Sequence, residues 1–440
     1  MAVPFEMNIC CIYDNLEMAS SPAKFFTLDS FDLEGKRVYL RVDINSPINP
    51  ISGEVMGLNR FMSHLDTIRE LHNSKLVVVA HQSRPGKDDF TSLKTHAEQM
   101  EKITGRPIEF IDSLFGSEAR NKIRHMEDGE IIMLENTRFY TEETDIDPMD
   151  AELAESTHFV KNLSELFDYY VIDAFPTIHR AQTSLVGFRR IRPNIAGRLI
   201  EKEVSMIDRF TFGNDHPKLA ILAGAKIDDS INVSSSFLKN GTVDSIIAGG
   251  VVANAFLWAK GMDIGKKNRE FIMKNNKNHS EIIDQCRKIL EKYPGKLMLP
   301  DDFVLNPTGR NLSVKDKVPD DQILADIGLN SISRFVEEIR KSRAIFLNGP
   351  MGMYEIEEFS VGTREILEAV ADSHGLTIAG GGHTLNALEK LRLMDRISHA
   401  STGGGALISY LSGERMPVLQ ALEESLNIFQ GQGYGKRRKN

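Results

Sequence analysis

From Lys36 onward the chain repeats one pattern: a near-continuous Val/Ile/Leu run, a polar exit, then a stretch of helical periodicity. RVYLRVDINSP, KLVVVAHQSRPG, EIIMLENTRF and YYVIDAFPTIHRAQTS are the runs of the first half. Strands that are apolar along their whole length must be covered on both faces, and their alternation with helices makes the sheet parallel. The fold class is therefore α/β and doubly wound. Ligands of such sheets bind beyond the carboxyl ends of the strands. Here those exits carry Arg84, Arg138 and Arg180, and Arg60 sits near the start of the helical stretch NRFMSHLDTIREL. Any one of these arginines suits an ordinary surface position. Three at equivalent exits of successive strands point to a pocket for a small, highly anionic molecule, because the planar guanidinium fork matches phosphate and carboxylate.

The second half repeats the pattern with different exits. LAILAGAKIDD ends in Gly224, Lys226, Asp228 and Asp229. SIIAGGVVANAFLWAKG opens a helix at Gly249 and Gly250, KLMLPDDFVL places Asp301 and Asp302 after a strand, and RAIFLNGPMGMYE supplies Asn348, Gly349 and Glu355. LTIAGGGHTLNALEKLRLMDRISHASTGGGALISYL then shows two glycine triplets, Gly380 to Gly382 and Gly403 to Gly405, each followed by helical periodicity. Glycine lets another group approach the main chain, and a helix starting just beyond presents free N–H groups and a positive dipole end. The triplets read either as two tight turns or as a paired phosphate cradle; two in tandem favour the cradle. The pattern GxxxxGK[ST] is absent.

A chain of 440 residues exceeds what one ordinary core holds, so two domains are expected. AGRLIEKEVSMIDRFTF, from Ala196, has the pattern of a long amphipathic helix and is the natural connector. The expected division is a loose extension over 1–28, a first domain over 29–195, a hinge helix over 196–212, a second domain over 213–419, and a terminal helix with a basic tail over 420–440. Met18 leaves open whether the first seventeen residues are an extension or a misassigned start.

A net charge of −9 argues against nonspecific nucleic-acid binding, which needs a basic field. Cys10, Cys11 and Cys286, without a CxxC spacing, read as reduced thiols of a cytoplasmic protein. No HExxH or Cys/His cluster suggests zinc, no apolar run reaches membrane-spanning length, and the amino terminus lacks the form of a secretory signal.

RVDINSP, HQSRPG, LENTRF, DAFPTIHRAQTS, GAKIDD, LPDDFV, ADIG, NGPMGMYE, GGGHT and STGGGA follow one another in this order. With them the chain resembles the phosphoglycerate kinase family from about Asp29 to Leu419. The resemblance implies two doubly wound (Rossmann-like) domains joined by a helical hinge. It also implies reversible phosphoryl transfer between 1,3-bisphosphoglycerate and ADP, giving 3-phosphoglycerate and ATP, in glycolysis or gluconeogenesis. Asp43, Asn45, Arg60, His81, Gln82, Ser83, Arg84, Arg138 and Arg180 would then hold the phosphoglycerate. Lys226, Asn348, Glu355, Gly381, Gly382, His383, Thr384, Gly403, Gly404 and Gly405 would hold the nucleotide, with Glu355 on the ribose hydroxyls. Arg60 and Lys226 would be catalytic, from different domains. Mg²⁺ would accompany ATP or ADP, and the molecule would be a monomer or homodimer with no membrane or nucleic-acid partner.

Four positions depart from the family's commonest pattern. GGGD[ST] reads GGGHT, with His383 at the aspartate; the second lysine of GAKxxDK is Ser230; HRAH ends in Gln182; and HLGRP reads HQSRP. They resemble the archaeal branch of the family. They leave the metal ligands open among Asp228, Asp229 and Asp302. A kinase of this fold acting on another small acid, and a noncatalytic nucleotide-binding protein, are the alternative readings.

Overall fold

The computed structural model describes residues 24–432. Cys10, Cys11 and the basic tail from 435 lie outside the described residues. The strands are β1 (Phe26–Thr27), β2 (Arg37–Arg41), β3 (Lys75–Val79), β4 (Glu109–Ile111), β5 (Ile131–Leu134), β6 (Tyr169–Ile172) and β7 (Asn194–Ala196) in the first half. The second half holds β8 (Lys218–Leu222), β9 (Ser245–Ala248), β10 (Leu297–Met298), β11 (Asp302–Asn306), β12 (Asn311–Ser313), β13 (Ile323–Ile327), β14 (Ala344–Asn348), β15 (Leu376–Gly380) and β16 (His399–Ala400).

The first sheet has the order β1-β7-β6-β2-β3-β5-β4 and every pair in it is parallel. The second runs β10-β9-β8-β14-β15-β16, again parallel throughout. Their central strands are buried along nearly their whole length, as continuous apolar runs demand. In the first sheet the chain moves outward from β2 through β3 on one side and places β6 on the other. In the second it moves from β8 through β9 on one side and places β14 on the other. Each strand order therefore reverses at one point, and a crevice opens at the carboxyl ends there.

Three elements depart from the sequence reading. The extension expected to be loose through residue 28 includes β1, whose Phe26 and Thr27 pair with Ile195 and Ala196. A two-residue strand carries too little pattern to be read. The second half also contains a small antiparallel sheet, β12-β11-β13. Asp301 and Asp302 follow the short strand β10, as expected, and Asp302 also opens β11. Finally, the helix Pro417–Phe429 returns to the first sheet. Asn194 N–H of β7 donates to Ser425 Oγ at 2.8 Å, and Glu424 pairs with Arg189 at 2.5 Å.

The linker helix Arg198–Phe212 joins the two sheets. It buries Leu199, Ile200, Glu203, Val204, Ile207 and Phe210, one stripe at helical spacing. Its first residue is clamped: Arg198 pairs with Glu70 at 2.7 Å, Asp29 at 2.9 Å and Glu201 at 2.6 Å. Separate apolar clusters fill the outer faces of the two sheets. The inner faces share one cluster that runs from Tyr39 and Tyr170 through Ile200, Ile207 and Phe210 to Leu222 and Phe346. The halves are thus not independent cores, because the linker's buried stripe belongs to both.

Candidate active site

The carboxyl ends of β2, β3 and β6 bring Asp43, His81 and Asp173 to the crevice of the first sheet. Asp43 is 2% exposed and accepts from Arg60 Nη1 at 2.5 Å. A buried carboxylate needs such a partner. Arg60, from the short helix Asn59–Met62, keeps 39% of its side chain exposed and so still faces the crevice.

His81 is fully buried. Arg41 Nη2 lies 3.0 Å from His81 Nδ1. A guanidinium only donates, so Nδ1 accepts and the ring proton sits on Nε2, which has no hydrogen-bond partner. Burial pushes the imidazole well below its ordinary range, and Arg41, Arg138, Arg180 and Arg60 push it further. Four arginines are therefore within electrostatic reach of one ring. Burial and its neighbours Arg180 and Arg41 likewise lower Arg138 to about 10, which still leaves it charged at neutral pH. Arg41 is held by Ser184 Oγ at 2.8 Å and by the buried Glu143 at 3.9 Å.

Other expected residues serve the pocket indirectly. Gln82 is fully buried and its amide is spent on Ser46 O at 3.0 Å, Asp89 O at 3.3 Å and His96 at 3.0 Å. It supports the loop rather than facing a ligand. Ser83 adopts φ 53°, with its N–H donating to Asn45 Oδ1 at 2.9 Å and its carbonyl accepting from Arg138. Arg84 is exposed on the same edge and forms no ion pair with a described residue. Gln182 is 5% exposed with its amide oxygen unpartnered.

The second crevice is a cavity of about 450 Å³. Lys226, Asp229, Asn348, Glu355, Gly381, Gly382, His383, Thr384, Gly404 and Gly405 line one part of it; Val251, Phe271, Ile323, Leu324 and Met353 form an apolar wall. Gly381 (φ 85°) and Gly404 (φ 50°) adopt left-handed conformations that other residues rarely take. The helix Gly382–Lys390 starts at the first triplet, directing its free N–H groups at the cavity. Gly349 N–H donates to Thr384 Oγ1 at 2.7 Å, which ties the β14 exit to that helix. Lys226 precedes the helix Ile227–Asn240 and is exposed.

Gly403 is the exception among the glycines. It does not line the cavity, and a Cβ there would stand 2.4 Å from the Phe175 ring. Its small size lets the second half pack against the first. Ser230 is also away from the cavity, fully buried beneath its helix. Of the three candidate metal ligands, Asp302 is consumed by Ser331, Asn330 and Asn311. Asp228 accepts from Asn278 at 3.3 Å, and Asp229 alone lines the cavity. His383 stands 3.7 Å from Glu355.

Two crevices, one lined with arginines and one with glycines and helix starts, joined through the linker helix, define a two-domain phosphotransferase of the doubly wound class. The phosphoglycerate kinase family model matches residues 28–414. A phosphoglycerate kinase from Thermoplasma acidophilum is 62% identical over 408 residues, covering 93% of this chain and all of that protein. One from Methanothermus fervidus is 43% identical over 405 residues, covering 91% and 98%. The crystal structure of phosphoglycerate kinase from Pyrococcus horikoshii matches with a TM-score of 0.83 at 39% identity, covering 92% of this chain and 100% of that one. The chain belongs to the phosphoglycerate kinase family.

Sequence reasoning did not select Arg41, Glu143, His64 or Asp173 as site residues. A charged Arg41 inside an apolar strand was the one visible signal. Because the folded protein holds the His81 ring neutral, nuclear magnetic resonance should show no protonation of His81 over the range where an ordinary histidine titrates. Since its pKa is depressed on folding, the penalty for charging it appears as pH falls through the ordinary histidine range. A ring that titrated normally would place the arginines farther from it than described.

Proposed function

We propose that the arginine crevice holds 1,3-bisphosphoglycerate or 3-phosphoglycerate, that the glycine-lined cavity holds ADP or ATP, and that phosphoryl transfer runs between them. The observation that carries the reading is the gathering of Arg41, Arg60, Arg138 and Arg180 around His81, together with a second-half cavity lined by glycine main chain, Lys226 and Glu355. In this division residues 29–195 form the phosphoglycerate domain, 213–419 the nucleotide domain, and the helix between them the hinge. A cytoplasmic location belongs to the same proposal; among the described residues no helix is long and apolar enough to cross a membrane.

In the ATP-forming direction the bond between the acyl oxygen and phosphorus breaks as a β-phosphate oxygen of ADP bonds to the same phosphorus. The 3-phosphoglycerate carboxylate is the leaving group. Such transfer needs the two oxygens in line and charge on the moving group neutralised, with little covalent chemistry from protein. Arg60 serves from one side and Lys226 from the other. The N–H groups opening Gly382–Lys390 and the exposed Gly404 and Gly405 backbone receive nucleotide phosphate, and Glu355 accepts from ribose. Cleft closure excludes water, the competing acceptor.

Among the described residues no three His, Cys, Asp or Glu side chains gather as a metal cage. Mg²⁺ commonly takes one or two carboxylates and completes its shell with water and substrate phosphates. Asp229 on the cavity wall fits that use. Mg²⁺ bound with the nucleotide would supply neutralisation of phosphate charge.

A coupled assay with 3-phosphoglycerate, ATP and magnesium tests the reading. Turnover with another small acid but none with 3-phosphoglycerate would favour a related kinase, and nucleotide binding without turnover would favour a binding protein. Arg60→Ala should lose roughly 3 kcal/mol of transition-state stabilisation, with nucleotide affinity little changed; near-normal turnover would remove Arg60 from the mechanism. His383→Ala should keep the parent's magnesium requirement, because imidazole is a poor partner for an oxygen-seeking ion. A collapse of that requirement would make His383 part of the metal site.

A further inference from the structure

His64 lies in the helical stretch that carries Arg60, four residues beyond it, and is fully buried. Its Nδ1 is 2.8 Å from Asp173 Oδ2. Asp43 N–H donates to its Nε2 at 3.1 Å, and the Asp43 carbonyl oxygen is 3.2 Å from the same nitrogen. With Nε2 accepting, the ring proton sits on Nδ1 and points at the carboxylate. Asp173 is itself fully buried, and its other oxygen accepts Leu199 N–H at 2.9 Å, in the first turn of the linker helix. A Cβ at Gly197 would come within 2.1 Å of Asp173 Oδ1, so the chain passes close against this carboxylate. Two further residues of the same stretch reach the same turn. Thr67 Oγ1 accepts Arg198 N–H at 2.9 Å, and Glu70 pairs with the Arg198 guanidinium.

His64, Thr67 and Glu70 thus face the linker, while Arg60 faces the anion crevice and holds Asp43. We propose that His64 is a positioning residue: it fixes the Asp43 backbone, and with it the Asp43–Arg60 pair, to the start of the linker helix through Asp173. The crevice that takes the acidic substrate and the helix that joins the halves then move as one unit. The part that concerns substrate rests on the reading under "Proposed function"; the tie between Asp43 and the linker does not.

Three proteins test it. His64→Asn keeps a donor near the Nδ1 position for Asp173 but is too short to reach Asp43. His64→Gln is long enough to present an acceptor to Asp43 N–H. In His64→Asn the Asp43 amide should exchange its hydrogen about tenfold faster than in the parent, and the KM for 3-phosphoglycerate should rise about tenfold, the cost of leaving one buried donor unpaired. The dissociation constant for nucleotide alone should be unchanged, and His64→Gln, which restores an acceptor for Asp43 N–H but leaves Asp173 without its donor, should recover the exchange protection and not the KM. A general loss of structure would move all three readings and would not be repaired by glutamine. Parent-like exchange at Asp43 in His64→Asn would overturn the proposal. Faster exchange with an unchanged KM for 3-phosphoglycerate would overturn its positioning role in the reaction. If the parent itself shows no activity with 3-phosphoglycerate, the functional reading fails, and the exchange experiment still decides the tie.

Discussion

Glu203 is completely buried in the middle of the linker helix, and a carboxylate removed from water must receive its hydrogen bonds from the fold. It receives them from the other side of the molecule: His399 Nε2 at 2.7 Å, Thr402 N–H at 2.7 Å and Thr402 Oγ1 at 2.8 Å. Thr402 immediately precedes the second glycine triplet. At the head of the same helix, Asp173 receives Leu199 N–H and the His64 ring. One helix is therefore fastened by one buried carboxylate to the loop that precedes Gly403–Gly405, and by another to the loop that carries Asp43. Releasing either attachment would leave a buried carboxylate without its hydrogen bonds, so both loops stay attached to the helix.

The arginine crevice imposes the complementary constraint. Several guanidinium groups around a neutral, buried His81 repel one another, and Asp43 and Glu143 offset only part of that charge. In the proposed function an anion completes the set. The strain of gathering like charges is a common feature of sites built to bind highly charged substrates. The nucleotide cavity works differently. Much of its wall is glycine main chain, held by Thr384 and by left-handed glycines, and Lys226, Lys267, Asp229 and Glu355 supply its side-chain charges.

Much of this was legible in the chain. Continuous apolar runs specified two parallel sheets, the arginines at strand exits marked the crevice of the first sheet, and the Gly380–Gly382 triplet announced a helix start. What escaped detection depended on pairing between distant segments. β1 and β7 are too short to show a period, and the antiparallel β11–β13 sheet shares its composition with the parallel strands. Gly403 looked like its neighbours, yet its missing side chain accommodates Phe175. Gln82 and Asp302 sit within informative motifs, but their polar atoms are used up internally. His64 and Glu203 look like surface residues of amphipathic helices until the burial of their positions is known. A pattern records which face of a helix is apolar; it does not record which polar residue within that face has been given partners.

The linker helix joins two crevices that one reaction must use together, and it is anchored in each of them. Either ligand alone supplies only part of the contact energy that favours closing the cleft; both together supply the rest. Small-angle X-ray scattering of the free protein, of each binary complex, and of the ternary complex with 3-phosphoglycerate and a non-transferable ATP analogue measures this directly. The account predicts a radius of gyration that is largest without ligand and smallest in the ternary complex. The same radius in all four samples, at saturating ligand and with an active enzyme, would contradict closure about this helix.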